Sequence, residues 1–492
     1  MASEKNPSEL PGPGDEILED AARRLGAAVR HLWPDAELVG GGTTALPFHG
    51  FYQDLDLPRR LTPDDLFQLA RTLREDGRCR PLLHVFQEVR EVLPRPAPSR
   101  ESRERPLQRL LGVAAASDND LQLIQARLER AAERDHRWIG RSLRLFEELP
   151  ERAGEYLWLP HGAWLLRELL ERARCLLSRD GFDEVKTPPR DGGPDHAAVF
   201  ACERRGATQL PVRFFEISGE ARQQPSLRSE GLRHARHFTR DAVSIFCTRD
   251  QAAAEIGRLI DLARRPYESC GVPLQARVAL PAGEEVLPGI REILRARQLE
   301  PHGGPAVSGV GIDFFAPNRF GNFEHAAASV RASPPGGEPI ADDVKGDVTY
   351  VIPRAPPARP WAIRGTLSGS FEALAALLIE RTAGAFPLWL APIQVRVVSV
   401  ATESNAYAAE THRRLLDAGF RSELDQRLNK IQTKRRDALR LKIPYPLLVG
   451  SREAGDRTVA TLPREPAGEP RTLALEKLID ELRKELAREP GF

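Results

Sequence analysis

The chain has 492 residues, 41% hydrophobic and 29% charged, with 71 Lys and Arg against 70 Asp and Glu. That balance describes an ordinary globular protein of two to four domains without a global basic field, so nucleic-acid contact has to come from local patches. Five cysteines without a Cys-x-x-Cys pair, no membrane-length apolar run and an N-terminus without a signal-peptide core argue against disulfides, a zinc ribbon and a membrane protein, and predict a reducing cytoplasm.

In chain order, Pro7 to Gly14 reads as a Pro/Gly-rich tail, and Ile17 to Leu32 carries a helical pattern. Gly40-Gly41-Gly42-Thr43-Thr44 lacks the Gly-Lys-Ser/Thr of a phosphate loop and predicts a turn. Pro94 to Pro106, rich in Pro, Arg, Ser and Glu, reads as a linker, and Gln122 to Gly140 as a strongly charged helix. Leu165 to Leu177 is amphipathic, and Gly181 to Pro188 reads as a strand closed by a proline. His161, His196, His234, His237, Asp241 and His325 are titratable candidates, but no pair has nucleophile-base spacing, and they read as surface or satisfied side chains.

The C-terminal third is the clearest. Gln394 to Val400 alternates polar and apolar with β-branched residues, as a strand does. Tyr407 to Ala418 is helical with Gly419 at the C-cap. Ser422 to Asp425 reads as a short strand, Lys434 to Leu441 as a helix and Tyr445 to Gly450 as a strand. The order βαβαβ predicts a mostly parallel sheet between helices. Arg427, Lys430, Lys434, Arg435 and Arg436 are dense enough to suit phosphates, although the same density describes a solvated helix face. Thr472 to Arg488, with Leu475, Leu478, Ile479 and Leu482 at helical spacing, predicts a terminal helix after a linker.

Asp425, Arg427, Lys430, Ile431, Lys434 and Arg436, ahead of Ile443-Pro444-Tyr445 and after Ala385-Phe-Pro-Leu-Trp-Leu-Ala-Pro392, follow an Asp-x-Arg-x-x-Lys-Ile-x-x-Lys-x-Arg pattern. That succession resembles the anticodon-binding domain of the threonyl-tRNA synthetase family, which makes Arg427, Lys430, Lys434 and Arg436 expected tRNA contacts. Leu159-Pro-His-Gly-Ala163, the following helix, and Phe182 to Pro188 resemble class II motif 1, an element that implies a homodimer. Leu210 to Thr248 lies on the family pattern without a gap, with Arg222 at the motif 2 arginine that grips the ATP α-phosphate and Arg236 at a second ATP-holding position.

The departures from the family are as specific. Gln224 replaces a glutamate, His234 a basic ATP contact, and Phe238-Thr-Arg-Asp-Ala-Val-Ser244 stands for Phe-Thr-Gln-Asp-Asp-Ala-His. Leu367 to Glu372 aligns with motif 3 and puts Ala373 at its arginine. Losing one such cation typically costs a factor of roughly 10² to 10³ in rate. The family holds threonine on zinc with one cysteine and two histidines. Ser244 and Arg364 occupy the histidine positions, Cys202 is a lone thiol nearby, Ser308 to Phe314 lacks a tyrosine and a lysine of the site, and His325 replaces a glutamine. In the N-terminal region, which resembles a shortened editing domain, Glu19 and Arg23 fall where the family has its His-x-x-x-His pair, and the matching cysteine and histidine have no counterpart in Pro94 to Pro106.

The resemblance therefore implies an α+β class II core, an antiparallel sheet flanked by helices, followed by an α/β anticodon-binding domain. The expected organisation is a tail (1–14), an editing-domain remnant (15–92), a linker and helix (93–134), the core (135–388), the anticodon-binding-like domain (389–465) and a linker with a terminal helix (466–492). The expected role is a cytoplasmic, homodimeric tRNA-binding paralogue without editing and with lost or altered threonine adenylation. It has no expected membrane or DNA partner, no metal site and no assigned catalytic residue. Arg222 and Arg236 are the positions left for ATP with Mg²⁺. Three other roles stay open: a remodelled ligase that activates an amino acid or other carboxylate with ATP in a biosynthetic pathway, residual threonine-tRNA ligase activity, or a purely structural dimer or accessory subunit.

Overall fold

A computed structural model describes residues 15–44, 50–57, 59, 61–75, 86–90, 107–115, 117–149, 152, 154–189, 193–222, 231–280, 287, 289–301, 309–335, 348–462 and 470–488. The N-terminal tail, the Pro94–Pro106 linker, Gln224 and the linker at 463–469 lie outside the described residues. The chain forms two compact units.

The first unit comprises α1 (Asp15–Leu32), β1 (Glu37–Thr44), β2 (Gly50–Asp56), α2 (Pro63–Glu75), β3 (Phe86–Arg90), β4 (Leu107–Gly112) and α3 (Asp118–Glu133). Its strands are antiparallel in the order β1-β2-β4-β3. The stripe Leu18, Ala21, Leu25 and Val29 on α1 packs on Phe51 and Leu55 of β2, which is why the helical periodicity was legible there. The glycine run corrects the turn expected at Gly40–Thr44. It is extended and paired with β2, with a bulge between Leu38 and Gly40. A Cβ on Gly41 would lie 2.5 Å from Gln53 Oε1, so the missing side chain makes room for Gln53, whose Nε2 donates to Gly40 O at 2.6 Å.

In the second unit follow α4 (His136–Ser142), β5 (Phe146–Glu148), β6 (Tyr156–Trp158), α5 (Pro160–Arg179), β7 (Asp183–Glu184), α6 (His196–Ala201), β8 (Val212–Ala221), β9 (His237–Cys247), α7 (Arg249–Glu268), β10 (Gln275–Ala279), α8 (Ile290–Ala296), β11 (Val310–Pro317), β12 (Phe323–Ser333), β13 (Trp361–Thr366) and α9 (Phe371–Thr382). The charged helix expected over Gln122–Gly140 is two helices, because Asp135 stops the first and caps α4 by accepting the Arg137 N–H. Among the described residues, β7 to β13 form one sheet in the order β10-β11-β12-β13-β9-β8-β7, antiparallel except for the parallel β7–β8 pair.

The alternation of side chains divides that sheet into two faces. Val243, Ile245 and Cys247 of β9 and Ile363 of β13 join Leu165 and Leu169 of α5, Ile256 and Leu259 of α7, and Leu374 and Leu378 of α9 in the main core. The intervening residues, Ser244 on β9 and Arg364 on β13 among them, point the other way, beside a smaller cluster of Phe200, Phe214, Phe246 and Ala362. Gly365 sits where a Cβ would come within 2.5 Å of Ser329 O, so a glycine lets β13 lie tightly against β12.

The C-terminal elements are β14 (Val395–Ser399), α10 (Asn405–Asp417), β15 (Ser422–Asp425), α11 (Ile431–Arg440), β16 (Tyr445–Val449), α12 (Ser451–Asp456), β17 (Thr458–Thr461), β18 (Arg471–Ala474) and α13 (Leu475–Arg488). β14 pairs in parallel with β15 and β16, as the βαβαβ order requires, and β17 and β18 extend the sheet antiparallel in the order β15-β14-β16-β17-β18. The helix expected from Thr472 begins only at Leu475. Thr472 and Leu473 are instead drawn into pairing with Ala460 and Val459, which satisfies backbone groups that a helix start would leave open. The stripe Leu475, Leu478, Ile479 and Leu482 is buried against this sheet.

Candidate functional site

At the end of β8 and the start of β9, backbone pairing sets the two expected nucleotide contacts opposite each other: Arg222 N donates to Arg236 O at 2.9 Å. The Arg222 guanidinium lies over the Phe238 ring, 4.7 Å from its centre, and donates to Ala235 O at 3.1 Å. Burial, helped by Arg240, lowers its pKa from the usual arginine range, and Glu220 and Glu372 oppose that shift. Arg236 reaches towards solvent, with Glu155 Oε1 3.6 Å away. Ala373 is 0% exposed at the start of α9, where its N–H is taken by the Ser370 hydroxyl. Next to it the buried Glu372 carboxylate accepts from Thr239 N at 2.8 Å, and burial raises its pKa.

Asp241, one of the titratable candidates, is wholly buried and used up. Its carboxylate accepts from Leu367 N at 2.5 Å, Ser368 N at 3.0 Å and Thr366 Oγ1 at 3.1 Å, pinning the turn that leads into α9. Burial raises its pKa, and those hydrogen bonds act against the rise. His161 Nδ1 lies 3.4 Å from Leu143 O, and His237 is exposed with Glu155 3.8 Å away. His325 is on β12, and its side chain is outside the described residues.

The positions read as the family's zinc histidines do come together. Ser244 of β9 and Arg364 of β13 are direct cross-strand partners. His196, at the start of α6, places Nδ1 2.9 Å from Ser244 Oγ and its ring beside Phe214. Burial holds the His196 imidazole down to about 4, so it is neutral near pH 7; Glu216 opposes the shift and Arg364 adds to it. These residues do not fit zinc. A guanidinium has no lone pair to give, a serine is a poor substitute for imidazole, and Cys202 is exposed with Sγ 3.2 Å from Ala198 O. No cluster of three or more His, Cys, Asp or Glu able to hold a metal occurs among the described residues.

The basic cluster of the C-terminal sheet separates into two kinds of cation. Lys430 and Arg436 are exposed, as are Arg435 and Arg440. Arg427 is half-exposed and committed to two carboxylates, Asp425 at 2.6 Å and Asp437 at 2.9 Å. Lys434 corrects the sequence reading. It is 3% exposed, and its Nζ donates to Ser399 O at 2.7 Å, so the ammonium ties α11 to the end of β14 rather than facing a phosphate. Arg144, Arg396, Arg427 and Arg440 line a cavity of about 250 Å³ with Asp425 and Asp437.

One buried group was missed by the reading of the sequence. Glu380 of α9 accepts from His136 Nδ1 at 2.6 Å and from the Arg233 guanidinium at 2.5 Å, while His136 Nε2 accepts from Leu232 N at 3.1 Å. That last bond fixes the proton on Nδ1. Arg233 and His136 hold Glu380 down to about 2 against its burial. A signal was present: Glu380 directly follows the unbroken apolar run Ala373 to Ile379 of the helix Phe371–Thr382, and a glutamate buried with that run requires a partner.

The layered antiparallel sheet with a C-terminal parallel α/β sheet defines a class II aminoacyl-tRNA synthetase fold carrying an anticodon-binding domain; residues 394–485 match the family described as anticodon binding domain. In fold, the chain is similar to the RNA binding domain of threonyl-tRNA synthetase from Cryptosporidium parvum (TM-score 0.62, 24% identity, 72% of this chain and 98% of that one) and to prolyl-tRNA synthetase from Giardia lamblia (TM-score 0.55, 13% identity, 74% and 80%). The chain belongs to the threonyl-tRNA synthetase family. It is 32% identical to the threonine-tRNA ligase of Chlorobium chlorochromatii over 79% of this chain and 66% of that protein, and 26% identical to that of Prochlorococcus marinus over 97% and 90%. No described helix is long and apolar enough to cross a membrane.

Proposed function

We propose that this protein is a cytoplasmic tRNA-binding member of the family that does not activate threonine by the zinc-dependent route and does not edit. The observation that carries the reading is the Ser244–Arg364 pair: two residues that cannot hold zinc face each other where the family resemblance puts its two histidine ligands. The buried Ala373 supports it, since no cation occupies that place in the clamp expected around ATP. Exposed Lys430 and Arg436, with Arg427 at the rim of the arginine-lined cavity, are the tRNA contacts of this reading. The homodimer of this reading forms through the motif 1 region, and ahead of that region in the chain the exposed Trp138 lines a cavity of about 270 Å³ with Phe146 and Tyr156. Arg222 and Arg236 are the residues that would hold the phosphates of ATP, whose Mg²⁺ complex would supply electrophilic activation of a carboxylate.

Two assays on one preparation test the reading. Filter binding should give tRNA affinity that falls steeply with salt, while threonine-dependent ATP–pyrophosphate exchange should stay at background beside an active threonyl enzyme. Fast exchange with threonine overturns the loss of threonine activation, and salt-insensitive or absent tRNA binding overturns the tRNA-binding role.

A further inference from the structure

We propose that Arg364, His196 and Ser244 form a binding site for a small-molecule carboxylate, at the place where the family resemblance puts zinc. The inference rests on the reading above that this face of the sheet has given up zinc and threonine. Arg364 Nε is buried without a hydrogen-bond partner, and no carboxylate of the described residues forms an ion pair with its guanidinium. His196 is 1% exposed, and its Nε2 is likewise buried and unpartnered, although Nδ1 is held by Ser244. Two buried polar atoms without hydrogen-bond partners are costly to keep, the more so when one belongs to the charged, half-buried guanidinium of Arg364. Each cost is removed by one anion that accepts from the guanidinium fork and meets the imidazole edge.

The local charges choose between anions. Glu216, on the same face, is neutralised by Lys186 at 3.0 Å and by the Thr187 N–H and hydroxyl. Asp195 caps α6 by accepting from Ala198 N at 2.9 Å and adds negative potential near Arg364. His196 is neutral. Among the described residues Arg364 is the one cation of this group without an ion-pair partner, and Asp195 already offsets part of its charge, which favours a single carboxylate over a phosphate dianion. An amino acid with an acidic side chain, or a dicarboxylic acid, presents that group and keeps a second polar end outside the Arg364 fork.

Titration calorimetry on the full chain tests this with L-aspartate, L-glutamate and succinate as probes, and L-threonine and inorganic phosphate as controls. At least one acid should bind with one site per chain, more tightly than both controls, and binding should be only weakly salt-sensitive because the pair is buried. Arg364→Gln should weaken binding by at least roughly tenfold, and Arg364→Lys, which keeps the charge and loses the fork, by less. Thermal melts of each variant separate lost binding from lost folding, and Ser244→Ala, a smaller change, should also weaken binding. The site is overturned if no acid binds the wild-type chain, if phosphate or threonine binds as tightly, or if folded Arg364→Gln binds like wild type. Filter binding of tRNA by the same preparation keeps the failures apart: tRNA binding without acid binding removes only this inference, and acid binding without tRNA binding removes only the tRNA reading.

Discussion

Ser244 and Arg364 lie directly opposite each other across β9 and β13, with His196 Nδ1 2.9 Å from the Ser244 hydroxyl. Zinc held in an open catalytic site needs three ligands drawn from imidazole, thiolate and carboxylate, and this trio offers a single imidazole. The purified protein should therefore carry zinc well below one atom per chain by elemental analysis. Threonine with added zinc should leave its melting temperature unchanged, since a ligand stabilises only a state that binds it. Stoichiometric zinc would refute the assignment of Ser244 and Arg364 to the former ligand positions.

Lys434 and Lys430 are four residues apart but do different jobs, and substitution should separate them. Lys434→Met removes the donor to Ser399 O and leaves that carbonyl buried, a cost of about 1–3 kcal/mol in denaturant unfolding. Lys430→Ala and Arg436→Ala alter exposed side chains and should change stability by no more than about 0.5 kcal/mol. On tRNA the order reverses. Each exposed residue that meets a phosphate should reduce the slope of log affinity against log salt by roughly 0.7 to 0.9. Equal loss of stability in all three variants would sink the distinction.

Much of this was legible because periodicity and β-branching report backbone pairing directly. The strands at Val395–Ser399 and Tyr445–Val449 and the stripe of α13 follow from their own residues. What the pattern could not convey is which partner a polar side chain meets across the fold. Lys434 looks like its neighbours in sequence and differs only because Ser399 O lies behind it. The glycines at 40–42 read as a turn because the purpose of Gly41, room for Gln53, is set by the neighbouring strand. Ser244 and Arg364 are far apart in sequence, and their juxtaposition needed β13 to insert beside β9.

The His136–Glu380–Arg233 arrangement predicts an acid-sensitive core. The folded-state pKa of Glu380, about 2, is below that of an ordinary glutamate, so the unfolded chain binds the proton more readily. Its contribution to stability is complete above the unfolded value of about 4.3 and is lost as pH falls from there through the folded value. Denaturant unfolding across that window should show the decline, and Glu380→Gln should flatten it while costing roughly 3–5 kcal/mol at neutral pH, because Arg233 is left buried without its counter-charge. An unchanged pH profile in the variant would assign the acid sensitivity elsewhere.

Trp138 gives the most direct test of assembly. It is 67% exposed on α4, yet a tryptophan so placed offers a large apolar surface that a solitary chain leaves in water. It borders the cavity lined by Phe146, Tyr156, Arg137 and Arg141, so aromatic and guanidinium groups, both favoured at interfaces, surround one spot just ahead of the motif 1 region in the chain. If that spot is the centre of a two-fold interface, each substitution counts twice, once from either protomer. Trp138→Glu should then convert a dimer into a monomer in sedimentation velocity at micromolar concentration while leaving the circular dichroism spectrum intact, because the side chain is not part of the protomer core. A wild-type chain that sediments as a monomer, or a Trp138→Glu chain that stays dimeric, would remove the homodimer through this face.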